Sequence, residues 1–405
     1  MNSVFEPLNL GGIRFSNRII RSATFEGMAD DSGRPQKELS QLYSNLAKGG
    51  AGAIMTSFTG VEPRGKAVAY MNMIDRDDLI DDYREITSQV HQYETPVIMQ
   101  ITHAGRQTSA SVAGGQPVSS SALRDKLFFR DKPRALAENE ISLIIEQFIN
   151  AIERAQKAGF DGVQVQASHG FLLSQFLTPY MNKRKDSWGG STENRFRIVR
   201  KIICGAKERL GDYPILAKIN GFDGQKNGMT TDEAARISIL LQESGCDGIE
   251  VSCGVGEDMF NTIRVAEPPV NGMLELVPNL QSLPKSVKSI FRFISPWLVK
   301  AHQPITNYNV SAAEHIKGYV DIPVIVVGGI RSLGDIERIL ESKKADCVAL
   351  SRPFIIEPDI VNKFKTGKQT ISRCKSCGFC AVASIDKPLK CYYGGLPKSG
   401  IKNPD

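Results

Sequence analysis

Eight short apolar runs recur along this chain, each followed by a stretch with helical spacing. They are "RIIRSA" from Arg18, "GAIMTSF" from Gly52, "PVIMQIT" from Pro96, "GVQVQA" from Gly162, "PILAKIN" from Pro214, "GIEVSC" from Gly248, "PVIVVGG" from Pro323 and "DCVALSR" from Asp346. Between the third and fourth lies "ISLIIEQFINAIERAQKAG", whose apolar residues fall three and four apart and whose Gly159 suits a C-terminal cap. Near-continuous apolar strands need cover on both faces, and alternating helices supply it around a parallel sheet. Eight units with no strand left over fit an α/β chain closed as a (β/α)8 TIM barrel better than an open doubly wound sheet. A length of 405 residues, 41% hydrophobic and 23% charged, is that of a globular chain with a full core.

Two segments stand outside the repeat. Residues 257 to about 308 follow the sixth strand and hold Pro pairs, aromatic residues and a short helical stretch, so they read as a lid-like insertion at the barrel rim. From about Thr366 the helical pattern gives way to Cys, Gly and Lys. The expected organisation is a barrel over residues 1–365 and a Cys-rich C-terminal extension over 366–405.

The opening "MNSVFEPLNLGG" has no basic leader region, and no run approaches the roughly 20 apolar residues that span a bilayer. A cytoplasmic protein without a membrane partner is expected. The formal charge of +6 is concentrated: Val361 to Asp405 holds nine Lys and Arg against two Asp, leaving about −1 for residues 1–360. A barrel body of that charge does not point to nucleic acid. The basic tail reads as a solvated segment or as a docking site for an acidic redox partner protein.

In such a barrel the chemistry sits where the strands end. The residues there are Ala23, Thr24, Ser57, Phe58, Gln100, His103, Gln166, His169, Lys218, Asn220, Ser252, Gly328, Ser351 and Arg352. Gly328 and Gly329 follow the seventh strand and precede a helix whose cap is read as Ser332, while Arg352 comes to the neighbouring strand end. Freed backbone N–H groups, a helix N-terminus and a guanidinium can together hold one phosphate, in preference to a plain turn. No Rossmann fingerprint is present.

These motifs place the chain among known proteins. It resembles the Old Yellow Enzyme family of FMN-dependent NAD(P)H oxidoreductases in "FEPLNLGGIRFSNRIIRSAT", "QITHAGR", "AGFDGVQVQASHGFLLSQFLTPYMNKRKDSWGGSTENRFR", "VIVVGGIRS" and "VALSRPFIIEPDIV", over most of residues 4–365. The resemblance implies FMN as cofactor and NAD(P)H as co-substrate in a ping-pong reaction that ends on a small-molecule acceptor. It implies that Ala23, Thr24 and Phe58 line the flavin, that Gln100 bonds its pyrimidine edge and that Lys218 stands near N1 and O2, where many relatives have Arg. Gly328, Gly329, Ser351 and Arg352 would bind the phosphate. A homo-oligomer is expected.

The catalytic pair of this family, His with His or Asn three residues on, is represented by Gln166 and His169, and a Tyr two residues later is replaced by Phe171. Gln can still donate to a carbonyl, whereas Phe has no proton to give. Loss of a general acid costs on the order of 10² to 10⁴ in the step it serves. Acceptors that need no proton at that carbon, such as a quinone, a nitro compound or another flavin, therefore stand beside the activated alkenes usual for the family. A flavin or iron–sulfur electron carrier and an FMN-dependent RNA dihydrouridine synthase are the competing readings. His103 and Arg106 read as loop organisers, and His91 and His315 as solvated helix residues.

Cys374, Cys377, Cys380 and Cys391 are separated by two, two and ten residues. Thiolates so spaced suit a 4Fe-4S cluster or a tetrahedral zinc, with unligated thiols as the third reading. The pattern resembles the trimethylamine dehydrogenase and dienoyl-CoA reductase branch of the same family, in which a cluster follows the barrel. Those proteins continue into a further nucleotide-binding domain, and here 14 residues follow Cys391, so an external electron partner is expected. The four remaining cysteines read as buried free thiols.

Overall fold

The computed structural model describes residues 4–125, 131–276, 278–299, 301–384, 387 and 389–394. Its eight parallel strands are β1 (Ile19–Arg21), β2 (Ile54–Gly60), β3 (Val97–Thr102), β4 (Gly162–Ala167), β5 (Ile215–Asn220), β6 (Gly248–Ser252), β7 (Val324–Val327) and β8 (Cys347–Leu350). Each pairs with the next, and β8 pairs with β1 to close the barrel. All eight runs read from the sequence are strands of this barrel.

Helices cover the outside: α1 (Lys37–Lys48), α2 (Ile80–His91), α3 (Glu138–Lys157), α4 (Thr192–Leu210), α5 (Thr231–Glu243), α6 (Val310–Lys317), α7 (Leu333–Glu341) and α8 (Ile360–Lys365). The buried stripe of α3 is Ile141, Ile144, Ile145, Phe148, Ile149, Ile152 and Ala155, a helical period laid on a sheet. Its start is tied by the Glu140 carboxylate, which accepts the Ala137 N–H at 3.0 Å. Its end turns through Gly159 at φ +81°, a left-handed conformation that glycine adopts without strain. Side-chain oxygens of Ser191, Thr230 and Ser332 cap α4, α5 and α7.

An antiparallel hairpin, Leu8–Leu10 with Ile13–Phe15, precedes the barrel. Its Leu10, Ile13 and Phe15 pack with Ile20, Met55, Ile98, Leu216, Ile325 and Cys347, which lie near the starts of their strands. The amino end of the barrel interior is thereby plugged with apolar side chains.

The insertion after β6 contains helices Val270–Leu276 and Lys285–Leu298. It does not stand alone. Phe260, Val265 and Met273 share a small core with Val382, Ala383 and Tyr392 of the cysteine tail, and the Ala266 N–H donates to the Ser376 carbonyl at 3.0 Å. Gly378, at φ +76°, lies so close to Val265 that a Cβ there would come within 2.7 Å of it. Two appendages that are remote in the sequence are thus packed on each other. Cysteine-tail residues past 394 lie outside the described residues.

Candidate active site

A belt of polar side chains crosses the barrel interior. Gln100 on β3 donates Nε2–H to Gln164 Oε1 on β4 at 2.6 Å, and Gln164 Nε2 donates to Glu250 Oε2 on β6 at 2.8 Å. The other Glu250 oxygen accepts the Ser22 hydroxyl at 2.5 Å and the Lys218 ammonium of β5 at 3.1 Å. Lys218 Nζ also lies 3.0 Å from Ser22 Oγ. Strand register builds the belt, because Gln100 is paired with Gln164 and Lys218 with both Gln166 and Glu250. The side chains of Lys218 and Glu250 are 4% and 0% exposed, so each charge depends on the other for compensation. Sequence reasoning singled out Gln100 and Lys218 but passed over Gln164, Glu250 and Ser22. The signal was present: Gln164 and Glu250 are polar side chains inside otherwise apolar strand runs.

Above the belt, His169 follows β4 in the left-handed region, at φ +60°. That conformation is held from both sides: its N–H donates to Asn220 Oδ1 at 3.1 Å and its carbonyl accepts Gln107 Nε2–H at 2.7 Å. The ring sits between Ser252 Oγ, 2.7 Å from Nε2, and Gln166 Nε2, 3.4 Å from Nδ1. Gln166 Oε1 already accepts the Ser168 hydroxyl at 2.8 Å, which turns the amide NH₂ toward Nδ1. An NH₂ only donates, so Nδ1 is the acceptor and the network assigns the ring proton to Nε2, facing Ser252. Burial first, and then the Lys218 ammonium, hold this imidazole well below the ordinary histidine value, so it is neutral at pH 7. Ser252 was on the strand-end roster, yet its bond to His169 was not foreseen.

One wall of the mouth is aromatic. Phe25 and Phe58 stack with centroids 5.1 Å apart, and Phe58 meets Phe171 at 5.2 Å. Met71, Ala67 and Ala104 complete this apolar patch. Phe171, where the resembled family has Tyr, is thus a packed wall residue. Ala23 packs against the barrel core, and the Thr24 hydroxyl donates to the Ser22 carbonyl at 3.0 Å.

After β7, where the phosphate loop is expected, the backbone takes a form that only glycine allows. Gly328 and Gly329 have φ of +141° and +72°. A Cβ on Gly328 would stand 2.6 Å from Asn309 Nδ2 and 2.8 Å from Tyr308 Cε2, and one on Gly329 would stand 2.3 Å from the Ile305 carbonyl. No other residue fits this turn. Arg352 begins the short helix Arg352–Ile356 directly after Ser351, and its Nη1 is buried without a hydrogen-bond partner. A buried guanidinium nitrogen with no acceptor suits an anion supplied by a ligand.

His103 and Arg106 organise loops, as read. His103 Nε2 meets Glu62 Oε1 at 2.7 Å, and buried Arg106 pairs with Glu257 at 3.0 Å. His91, His302 and His315 each lie within 3.0 Å of an aspartate, Asp161, Asp258 and Asp232 respectively. Burial pushes the Cys246, Cys253 and Cys347 thiols up to about 12, as expected of inert core cysteines.

Cys374, Cys377, Cys380 and Cys391 line one small cavity of about 20 Å³, together with Arg352 and Tyr392. Burial lifts the Cys380 thiol to about 12; Arg352 opposes that shift, and the other three cysteines add to it. Among the described residues, no three His, Cys, Asp or Glu side chains converge closely enough to hold a single metal ion.

The chain matches the model of the NADH:flavin oxidoreductase / NADH oxidase family over residues 3–254 and 257–370. It belongs to that family. Within it, the chain is 34% identical to an NADH oxidase of Thermoanaerobacter brockii, over 94% of its own length and 53% of the relative's. It is 28% identical to a 4,4'-dithiodibutanoate disulfide reductase of Rhodococcus erythropolis, covering 93% of this chain and 92% of that one. An NADPH dehydrogenase of Bacillus pumilus is likewise 28% identical, over 88% and 92%. The chain spans about half the length of several curated relatives it matches. Solved structures share the fold: an Old Yellow Enzyme homologue from Zymomonas mobilis at TM-score 0.74 and 22% identity, covering 96% of this chain and 99% of that one. A morphinone reductase matches at 0.70 and 23%, covering 98% and 99%.

The family's barrel floor here rests on one ion pair. Glu250→Gln leaves Lys218 buried beside a neutral amide, and breaking a buried pair in this way costs about 3–5 kcal/mol. Urea unfolding is expected to register a loss of that size; a loss below about 0.5 kcal/mol would show that Lys218 does not depend on Glu250.

Proposed function

We propose that the chain is an FMN-dependent oxidoreductase that takes reducing equivalents from NADH or NADPH and passes them to a small organic acceptor. The observation that carries this reading is a buried Lys218 on β5 and a half-buried Arg352 just after β8, whose Nη1 is enclosed without a hydrogen-bond partner, in a member of the NADH:flavin oxidoreductase family. Bound FMN would supply a two-electron carrier that accepts hydride from the nicotinamide and releases it to the acceptor in a second half-reaction. The chain's own groups do the holding. Arg352, Ser351 and the Gly328–Gly329 turn would bind the phosphate, Gln100 the pyrimidine edge, and Ala23, Thr24 and Phe58 the length of the ring. Lys218 would lend positive charge near N1 and O2, moderated by Glu250.

Gln166 and His169 are proposed to grip the acceptor. A neutral imidazole and an amide N–H polarise an oxygen by hydrogen bonding rather than by full charge, the His169 Nε2–H exchanging Ser252 Oγ for the acceptor oxygen. Phe171 makes the wall beside them apolar, which favours acceptors that need no proton from that side: quinones, nitro compounds or flavins. The first test is an anaerobic titration of the FMN-loaded protein. NADH or NADPH is expected to bleach the flavin spectrum, and a spectrum unchanged by both would sink the proposal. The second is Phe171→Tyr, for which enone reduction is expected to rise by on the order of 10². No rise, with FMN retained, would mean that this wall does not face the reacting carbon.

We further propose that Cys374, Cys377, Cys380 and Cys391 hold a 4Fe-4S cluster facing an external redox partner. What supports one shared group is that all four cysteines line one cavity, three of them at CxxCxxC spacing. Protein purified anaerobically is expected to carry about four iron and four sulfide per chain; zinc alone, or no metal, would overturn the assignment.

A further inference from the structure

Helix Lys285–Leu298 leaves much of its apolar stripe uncovered. An amphipathic helix normally sets its apolar stripe on the core. Here Val287, Ile290, Phe293 and Trp297 are 40%, 59%, 73% and 68% exposed. The Phe293 and Trp297 rings meet edge to face at 5.6 Å, forming a continuous aromatic surface. The helix is held by one edge: Ser295 is buried and Phe291 and Ile294 are partly covered, while Arg292, itself exposed, donates Nε–H to Asn271 Oδ1 of helix Val270–Leu276 at 2.9 Å. An exposed strip of this kind marks a contact surface.

Charge selects the occupant. Helix Lys285–Leu298 contains no Asp or Glu, but it contains Lys285, Lys288 and Arg292, a net of +3. We propose that this helix docks on an anionic lipid surface. Basic residues beside a strip of Trp, Phe and aliphatic side chains, with no acidic residue among them, are the pattern of a helix lying in the membrane interface. A second copy of the chain would bring the same +3 against itself in a two-fold contact. An acidic protein groove would match the same charges, and flotation with protein-free vesicles separates it from a lipid surface. Among the described residues no helix is long and apolar enough to cross a membrane, so the contact is peripheral and salt-sensitive.

The chain carries its own probe. Of its two tryptophans, Trp188 is 4% exposed and Trp297 is 68% exposed, so a change in quenching by acrylamide reports on the helix. The full chain is mixed with vesicles of phosphatidylcholine alone or of phosphatidylcholine with phosphatidylglycerol, and binding is read by flotation. Flotation with the anionic vesicles only, a blue shift and shielding of Trp297, and release by salt are expected. Both Phe293→Ser with Trp297→Ser and Lys285→Glu with Lys288→Glu should lower the bound fraction roughly tenfold or more, with the flavin site and thermal midpoint kept as controls of folding. Absence of flotation with anionic vesicles overturns the proposal, as does equal binding to neutral ones. So does a dimer that Phe293→Ser with Trp297→Ser dissolves, since a second copy would then occupy the strip.

Discussion

A charged lysine and a charged glutamate sit inside the barrel, and much of the mouth depends on their contact. Lys218 and Glu250 are almost wholly buried, so each depends on the other, 3.1 Å away, for charge compensation. The second Glu250 oxygen then orients Gln164, which orients Gln100, while Ser22 bridges back to the lysine. Four strands and the residue after β1 are thereby committed to one arrangement of donors. The apolar hairpin plugs the opposite end, so this polar floor lies toward the carboxyl ends of the strands. A site for a flat, polar-edged ring is a natural consequence of a floor that presents an amide at one side and an ammonium at the other.

The groups above the floor are more constrained than their sequence positions imply. His169 is held in a left-handed backbone conformation by Asn220 and Gln107, and its ring is clamped between Gln166 and Ser252. Such strain persists only where the surroundings overdetermine it, as they do around this ring. The opposing aromatic wall is equally specific, since Phe171 is packed on Phe58 and Phe58 on Phe25. The mouth therefore couples a rigid hydrogen-bonding side to a side that cannot exchange protons. That division bears on which acceptors can use it more than the identity of any one residue does.

The cysteine tail and the insertion are a single structural unit built on a shared apolar cluster. Arg352 joins this unit to the mouth, because it opens the helix at the end of β8 and also lines the cysteine cavity. Arg331 adds a second tie, with Nη1–H donating to the Cys374 carbonyl at 3.2 Å and to Ser376 Oγ at 3.0 Å. Whatever occupies the cysteine cavity lies one side chain away from the proposed phosphate site.

The barrel was legible because its signals are local. Strand runs, helical spacing, Gly159 and the Ser332 cap each depend on residues a few positions apart, and each appears where it was read. The candidate residues at the strand ends were legible for the same reason, once eight strands were counted. The partnerships were not. Ser22 meets Glu250 across 228 residues, Gln164 meets Glu250 across 86, and His169 meets Ser252 across 83. No spacing rule links such pairs; they exist because barrel closure sets the register between strands. The sequence by itself determined the strands, the helices and the chemical inventory of the mouth. Only the tertiary structure decided that Lys218 is neutralised by Glu250, that tail and insertion share a core, and that much of the apolar stripe of helix Lys285–Leu298 is left uncovered. Those outcomes depend on which surfaces meet in space, and periodicity along one chain carries no record of that.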